Sequence, residues 1–491
     1  MSFWVYVPLG AYLIVLLVLG LWSRAAGGGL EGYYVAGKKL PAWVVAFSSN
    51  ATGESGWLLL GLTGMGYLIG VHAFWVILGE VLGVTLGWVL VARPFKALTD
   101  GYGSITVPDY LESRFRDDAG LLRKIGVAIV LSMATVYTAA QMVAAGKAFD
   151  SFLATGYIPG VLIGAAVTLF YTAVGGFKAV AYSDFVQGVL MALGLLALPI
   201  AGIAAAGGIE AMFVAVGAQD PTLLLPMGRY GVTFEGVLSA VGMAAIGLAF
   251  LGVPQLLVRF MAAGSDRDLV QGSGFAYLCI VIFDVGAVFT GIAGRALYPA
   301  LEDQETVMPL LSAELFPAIF TGIFLVIVLG AIMSTVDSLL IMSSAAVVRD
   351  LVQKTFGSQT SERRLSFYGR LTTLAIGAIA LPFALREAKV LFWFVLFAWS
   401  GLGAAFTPVV LCSLFWSRTT RMGAAAGMVS GFVVTVVWVQ FFKAQFYDLY
   451  EMIPGFLAGL VATVVVSWMT EPPEGAGEEL EAMRERLRYG G

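Results

Sequence analysis

The sequence predicts an all-α integral membrane protein, on the strength of its composition, its hydropathy and its repeated apolar runs. Of 491 residues, 59% are hydrophobic and only 12% are charged, whereas a soluble globular protein carries about 25% charged residues. The mean hydropathy is +0.89. Apolar runs of about 20 residues, the length that crosses a bilayer as a helix, follow one another with mostly short connections.

Thirteen of these runs are long enough to be transmembrane helices. They lie at 3–23, 42–68, 72–92, 124–148, 157–175, 181–206, 236–261, 271–297, 315–347, 368–386, 390–416, 422–442 and 453–470. Several exceed 25 residues, a length that tilting or kinking accommodates. We therefore expect one transmembrane domain over 1–470 and a short cytoplasmic tail over 471–491, with a surface helix at 478–488.

The distribution of Lys and Arg predicts the orientation, because cytoplasmic loops carry an excess of both residues. With the N-terminus outside, the outer side holds only six of the 28 basic residues, which leaves 22 on the inner side, Arg259 among them. The six outer residues are Lys147, Arg229, Arg295, Arg386, Lys389 and Lys443. The pattern predicts a multi-pass protein of the cell membrane with an external N-terminus and a cytoplasmic C-terminus.

The same composition excludes several classes of function. A net charge of −4 gives no reason to expect a nucleic-acid partner. The single histidine, His72, cannot form a histidine metal cluster or supply a Ser-His-Asp triad at a buried centre. The segment 32–39 resembles a P-loop up to its lysines but lacks the Ser or Thr that binds Mg²⁺. We expect no enzymatic activity and no organic cofactor.

A polar stretch, Ser48–Ser55, interrupts the second apolar run and includes a carboxylate, Glu54. Lipid offers no hydrogen bonds, so irregular backbone at membrane depth persists only inside protein or beside a water-filled cavity. The seventh run has a matching interruption at Gly247–Pro254. Paired broken helices expose N–H and C=O groups that bind anions and cations. They indicate a transporter that holds a solute and an ion near mid-membrane.

Five carboxylates lie within or at the edge of the predicted spans, and each is a functional candidate because a buried acid in a membrane is costly. They are Glu54, Glu80, Asp184, Asp284 and Asp337. The alternative for each is a structural partner for a nearby polar group. For Asp184, at the start of the sixth span, that alternative is a helix N-cap.

Hydroxyl groups accompany one of these acids. Ser334, Asp337 and Ser338 share a helical face at i, i+3 and i+4, with Thr335 at its edge. Such oxygens suit a hard cation such as Na⁺, although the hydroxyls could instead bond to their own helix. Tyr137 and Gln141, one turn apart in the fourth span, either line a solute path or hydrogen-bond to a neighbouring helix.

Several motifs resemble the sodium/solute symporter family, and most closely its sodium/proline symporters. The motifs are Ser55-Gly-Trp-Leu-Leu-Leu-Gly-Leu, Val107-Pro-Asp-Tyr-Leu-Glu-Ser-Arg-Phe, Tyr171-Thr-Ala-Val-Gly-Gly-Phe, Pro254-Gln-Leu-Leu-Val-Arg-Phe-Met-Ala-Ala, Ile332-Met-Ser-Thr, Ala398-Trp-Ser-Gly-Leu-Gly-Ala-Ala-Phe and Ile453-Pro-Gly-Phe. The resemblance implies thirteen transmembrane helices, with broken helices 2 and 7 and two inverted five-helix repeats over about 42–206 and 236–416.

The resemblance also implies site residues. A main sodium site would use the backbone carbonyls of Ala51, Glu54 and Ala331 with the hydroxyls of Ser334 and Thr335. A second sodium would lie near the residues Asp184, Ser334, Asp337 and Ser338.

Three positions depart from the proline symporters. Those proteins have an acidic residue where this chain has Gly53, and Trp and Tyr where it has Ile246 and Phe250. Here the acid is Glu54, one position later and rotated by about 100° on a helix. The aromatic wall expected around a proline ring is therefore weakened.

These features together predict a sodium-coupled symporter of a small zwitterion, with L-proline as the expected solute. Its carboxylate would lie at free N–H groups near Gly53–Ser55. The residues expected to bind it are Gly53, Ser55, Trp57, Tyr137, Gln141, Phe250 and Pro254. The expected partners are therefore the solute, sodium ions and the lipid bilayer.

Two other functions stay open on the sequence. The first is a symporter of the same fold for another amino acid or an organic acid, coupled to protons if Glu54 and Glu80 titrate. The second is a membrane sensor built on a transporter fold, whose expected mark is a long cytoplasmic domain; the tail here has about 20 residues.

Overall fold

The computed structural model describes residues 2–24, 29–174, 176–358, 360–386 and 390–489, and within them every regular element is helical. The α-helices are α1 Tyr6–Arg24, α2 Gly29–Val35, α3 Ala42–Gly56, α4 Thr63–Ile69, α5 Phe74–Leu86, α6 Ala92–Tyr102, α7 Val107–Phe115, α8 Leu121–Leu153, α9 Tyr157–Val174, α10 Phe177–Ala205, α11 Ile209–Gln219, α12 Phe234–Ala244, α13 Pro254–Ala262, α14 Asp266–Leu297, α15 Val307–Leu315, α16 Ala318–Ala345, α17 Glu362–Ala384, α18 Leu391–Phe415, α19 Arg421–Val437, α20 Met452–Met469 and α21 Ala476–Tyr489. Four π-helical segments are Trp57–Leu62, Gly87–Val91, Ala346–Thr355 and Trp438–Phe442. The 3₁₀ segments are Phe3–Val5, Ala36–Lys38, Gly70–Ala73, Pro221–Leu224, Gly228–Tyr230, Ala245–Leu251, Gln304–Thr306 and Lys443–Gln445.

Eleven helical segments in the described ranges are long and apolar enough to cross a membrane. One of them, Ala42–Tyr102, has 61 residues and is interrupted at Gly70, where φ is 58°. A further helix, α9, has a shorter apolar part, Tyr157–Phe170. The all-helical, multi-pass membrane architecture predicted from the sequence is confirmed, while the number thirteen stays a prediction.

The central helices are α3, α8, α10, α14, α16 and α18, which pack on one another. Within the most apolar stretches of α16 and α18, 83% of residues are buried inside the protein, against 22% for the first span. Glycines allow the closest packing: a Cβ at Gly79 of α5 would lie 2.0 Å from the Ala244 carbonyl oxygen. The central helices therefore face protein, whereas the first span offers most of its surface to lipid.

The interruption of α3 lies further along the chain than the sequence predicts. The polar stretch from Ser48 stays helical until Ser55, where φ is 53° and ψ is −169°. The reason is that these side chains find partners on other helices. Asn50, for example, donates to the Ala276 carbonyl of α14 at 3.1 Å as well as to the Ala46 carbonyl of its own helix at 3.2 Å.

The second interruption agrees with the prediction of Gly247–Pro254. Helix α12 passes into the 3₁₀ segment Ala245–Leu251, and α13 then begins at Pro254. Proline suits the first position of a helix because it has no N–H group to leave unpaired.

The charged tail packs against the helical bundle. Its helix α21, predicted at 478–488, extends over Ala476–Tyr489 and contacts α6. Leu480 and Met483 are buried there, and Glu479 pairs with Arg114 at 3.4 Å. The apolar face of this short helix therefore anchors the tail to the protein.

A network of buried charges surrounds Arg123 at the start of α8. Its guanidinium group bonds to Asp109 at 2.7 Å and also to Glu112 and Asp350. Arg349 contacts Asp109 from a second side at 3.0 Å. Burial raises the pKa of Asp109, but Arg349 and Arg123 outweigh that effect and hold its pKa below the usual value. The network joins α7, α8 and the segment that follows α16.

Replacing Arg123 with Met should lower the free energy of unfolding by about 3–5 kcal/mol, because three carboxylates then lose their shared cation. Arg418→Met is the control. Arg418 is exposed and donates to the Trp468 carbonyl at 3.1 Å, so its loss should cost under about 1 kcal/mol. Chemical unfolding of the purified proteins in one detergent provides the comparison. Equal losses for the two variants would contradict the proposed importance of this network.

Candidate functional site

The break in α3 is closed by side chains from α3 itself and from α8. The Gly56 N–H donates to Gln141 Oε1 at 3.0 Å, and the Trp57 N–H donates to Ser55 Oγ at 3.1 Å. Gln141 Nε2 also donates to Ser55 Oγ at 3.3 Å, and Tyr137 faces the same serine. The amide groups that follow the break are thus capped by the side chains of Gln141 and Ser55.

An aromatic pair covers the other side of the break. Phe250 lies so close to Gly53 that a Cβ added at Gly53 would be 2.8 Å from the Phe250 ring. The ring contacts Trp399 edge to face with centroids 5.0 Å apart, and Trp399 Nε1 donates to the Ile246 carbonyl at 3.1 Å. Sequence reasoning missed Trp399, although it lies in the quoted Ala398-Trp-Ser-Gly motif.

Two other residues predicted to contact solute, Trp57 and Pro254, lie outside the group of residues at the break. Trp57, two residues beyond Ser55, stacks on Phe392 with centroids 5.3 Å apart. Pro254 lines a separate small cavity together with Arg259 and Ser338. Of the seven predicted residues, Trp57 therefore flanks the break and Pro254 faces another cavity. The other five come together at the break, namely Gly53, Ser55, Tyr137, Gln141 and Phe250.

Five oxygens converge between α3 and α16. Ser334 Oγ donates to the carbonyls of Ala51 at 2.8 Å and Ala331 at 2.9 Å. Thr335 Oγ1 donates to the Thr52 carbonyl at 3.0 Å and lies 3.4 Å from that of Ala331. All of these residues are fully buried. Hydroxyl and carbonyl oxygens are the donors that a hard cation prefers, so this set fits a sodium ion.

The Glu54 carbonyl, which was also predicted to bind sodium, accepts the N–H of Trp57 across the break. The Glu54 side chain points away from Ser334 and Thr335, toward Glu80 of α5 and Asp284 of α14. Thr52, which sequence reasoning did not select, provides the carbonyl beside Thr335.

A guanidinium group lies among the residues predicted for a second sodium. Arg259 Nη2 contacts Asp184 at 3.1 Å and Thr52 Oγ1 at 2.7 Å, and it also donates to Ser338. Asp337 is not part of this group, since its carboxylate accepts from Thr172. The sequence analysis counted Arg259 with the inner-loop residues, which is wrong: it belongs to α13 and is 1% exposed.

The alternative role of Asp184 as a helix N-cap is also wrong. Helix α10 begins at Phe177, seven residues earlier, so Asp184 lies inside the helix. Its carboxylate accepts from Ser48 Oγ at 2.7 Å as well as from Arg259. Asp184 therefore connects α10 with α3 and α13.

Two cavities approach the site from opposite ends. The larger, about 570 Å³, is lined by residues that include His72, Tyr230, Ile246, Trp393 and Lys443. The smaller, about 20 Å³, is lined by Pro254, Arg259, Ser338 and Asp350 among others. Ile246, whose carbonyl accepts from Trp399 Nε1, is the link between the wall of the larger cavity and the aromatic pair.

The family model described as the sodium:solute symporter family matches residues 33–431. The chain belongs to the sodium:solute symporter family. It is therefore a membrane transporter and not an enzyme, and the resemblance noted in the sequence is confirmed.

Curated relatives match nearly the whole transporter. The high-affinity proline transporter PutP of Bacillus subtilis is 36% identical over 94% of this chain and 97% of its own length. The osmoregulated proline transporter OpuE of the same species is 33% identical over 99% of both chains. A sodium/proline symporter of Staphylococcus aureus is 33% identical over 98% of this chain and 96% of its own.

Solved structures share the fold at low sequence identity. A Na⁺-coupled sialic acid symporter, in a substrate-bound outward-open state, has a TM-score of 0.80, 17% identity, and coverage of 96% of this chain and 99% of its own. Mhp1, a nucleobase-cation-symport-1 family transporter in a closed conformation, has a TM-score of 0.56, 12% identity, and coverage of 92% and 98%.

The contact between Gly53 and Phe250 predicts a specific pattern of stability. Gly53→Ala should lower the free energy of unfolding by about 1–3 kcal/mol, since the new methyl group meets the ring in a packed core. Adding Phe250→Leu should recover part of that loss, so the two changes are not additive.

Gly274→Ala is the matched control, because a Cβ at Gly274 of α14 meets no atom within 4 Å. Chemical unfolding of the single and double variants gives the coupling between the two positions. Strictly additive effects would contradict the contact.

Proposed function

We propose that this transporter couples the entry of sodium ions to the uptake of a small zwitterion, and that L-proline is that zwitterion. The observation that carries the proposal is the convergence of Ser334 and Thr335 of α16 on carbonyls of α3, within one turn of its break. Sodium binding and solute binding would then act on the same few residues of one helix. The proline transporters among the relatives support the choice of solute.

We propose the thirteen-helix arrangement with two inverted five-helix repeats for this chain. The eleven candidate spans, the interruption at Gly70 and the helix α9 support that number. The two broken segments, α3 and α12–α13, support the repeats. An external N-terminus agrees with the excess of Lys and Arg on the cytoplasmic side. With this orientation, the larger cavity opens toward the outside of the cell.

In this proposal sodium is held by the carbonyls of Ala51 and Ala331 and the hydroxyls of Ser334 and Thr335, with the Glu54 carbonyl at the break. The ion would join α3 to α16 and favour the conformation in which the outer cavity is open. Each sodium ion that enters a cell at −100 mV contributes about 2.3 kcal/mol, which is equivalent to about 50-fold accumulation of solute.

Arg259 takes the place of a second sodium in this proposal. Its guanidinium group already neutralises Asp184 and bonds to Ser338. A sodium ion placed among the same oxygens would be repelled by a fixed positive charge a few ångströms away. We therefore propose that the residues Asp184, Asp337 and Ser338 organise α3, α10, α13 and α16 without binding an ion.

The solute would bind at the break and replace the side chains that cap it. A carboxylate would accept the N–H groups of Gly56 and Trp57, which Gln141 and Ser55 now satisfy. The apolar ring of proline would lie against Phe250 and Trp399. These two side chains supply an aromatic wall, which the aliphatic side chain of Ile246 does not supply. Tyr137 and Gln141 would then be free to bond to the polar atoms of the solute.

Uptake of radiolabelled L-proline into proteoliposomes tests the proposal, with and without an inward sodium gradient. We expect uptake only with the gradient and little competition from organic acids. Uptake without sodium that follows pH would favour proton coupling. Absence of proline uptake, with uptake of another amino acid, would show that the solute is wrong while sodium coupling holds.

Variants of α16 separate the sodium site from the solute site in the same assay. Ser334→Ala or Thr335→Ala should raise the sodium concentration for half-maximal uptake about tenfold, as expected for a loss of about 1.4 kcal/mol. Proline affinity at saturating sodium should change much less. Ser343→Ala is the control, because Ser343 Oγ bonds only to Leu339 of its own helix at 2.7 Å. An equal loss of both affinities would contradict the assignment.

A further inference from the structure

Three carboxylates that the proposed cycle does not use come together on the far side of α3. Glu54 is contributed by α3, Glu80 by α5 and Asp284 by α14. Each offers a carboxylate oxygen, and these oxygens all lie within 4.8 Å of one another. The three residues are at most 2% exposed. Separate helices thus bring three acids to one buried point.

No protein group neutralises this cluster among the residues that the structure describes. Both oxygens of Glu54 and of Asp284, and one of Glu80, lack a hydrogen-bond donor. Two other buried acids are paired with lysines: Glu305 with Lys147 at 2.6 Å, and Glu451 with Lys443 at 2.8 Å. A buried carboxylate without a partner is very costly, so this cluster requires a cation from solution.

The geometry suits a metal ion. Oxygens that lie within 4.8 Å of one another are close enough to share one hard cation. All of the donors are carboxylate oxygens, which favour hard cations over softer transition metals. Sodium is the cation for which the family is named, and protons on the remaining carboxyl groups complete the neutralisation.

The cluster is separate from the oxygens near Ser334. Asn50 and Glu54, one turn apart on α3, both face α14. Ala51 and Thr52 instead present their carbonyls to α16. An ion at the cluster would therefore hold α3 from the side opposite to the proposed coupling sodium, immediately before the break at Ser55.

We propose that Glu54, Glu80 and Asp284 bind one sodium ion in a site additional to the one at Ala51, Ala331, Ser334 and Thr335. This site fixes the end of α3 to α5 and α14. It does not depend on the identity of the solute, so it can be tested apart from proline uptake.

Equilibrium binding of ²²Na⁺ to the purified transporter, without solute, counts the sites. We expect two ions per protein for the unmodified chain and one for Glu80→Gln or Asp284→Asn. The double variant Ser334→Ala/Thr335→Ala should also retain one ion, namely the one at the cluster. Glu451→Gln, a buried acid outside both sites, should retain two.

Retention of one sodium ion by Glu80→Gln or Asp284→Asn would also show that the variant is folded. One ion in the unmodified protein that persists in both acid variants would overturn the proposal, since the carboxyl groups would then carry only protons. Binding of ⁴⁵Ca²⁺ that is lost in Glu80→Gln, with sodium binding unchanged, would overturn the assignment to sodium.

Discussion

The backbone groups at the break of α3 are buried among apolar helices, so they must find their partners inside the protein. This constraint explains why the break is so local. Ser48 and Thr52 stay helical because their hydroxyls bond to Asp184 and Arg259. Beyond Ser55, the freed N–H groups bond to Gln141 and to Ser55 itself. The surrounding helices are arranged to supply these partners.

A helix whose break is held only by exchangeable hydrogen bonds can respond to ligands. The Ala51 and Thr52 carbonyls and the Gly56 and Trp57 amides lie within two turns of each other, on the two sides of Ser55. A cation favours the carbonyl side, and an anionic group favours the amide side. In the proposed cycle each ligand would stabilise the backbone geometry that the other needs, which would be the energetic basis of coupled binding.

The membrane class and the two interruptions follow from the sequence, because hydropathy and polar spacing reflect local chemistry. The convergence of α3 with α16 is what the resemblance to the family implied. Three other features arise from tertiary contacts that local patterns do not encode. Arg259 was counted among the basic residues of the inner side, but it is buried inside α13. The acid cluster needs the relative rotation of three helices. Trp399 packs on Phe250, which covers Gly53, and Gly53 lies about 350 residues before Trp399 in the chain.

The central claim is that sodium acts on the break of α3 through Ser334 and Thr335. Amide hydrogen exchange of the peptide covering residues 48–62, measured with and without sodium, tests it most directly. The account predicts slower exchange with sodium in the unmodified transporter and no change in the Ser334→Ala/Thr335→Ala variant. Exchange that is unaffected by sodium in the unmodified protein, or slowed equally in both proteins, would contradict it.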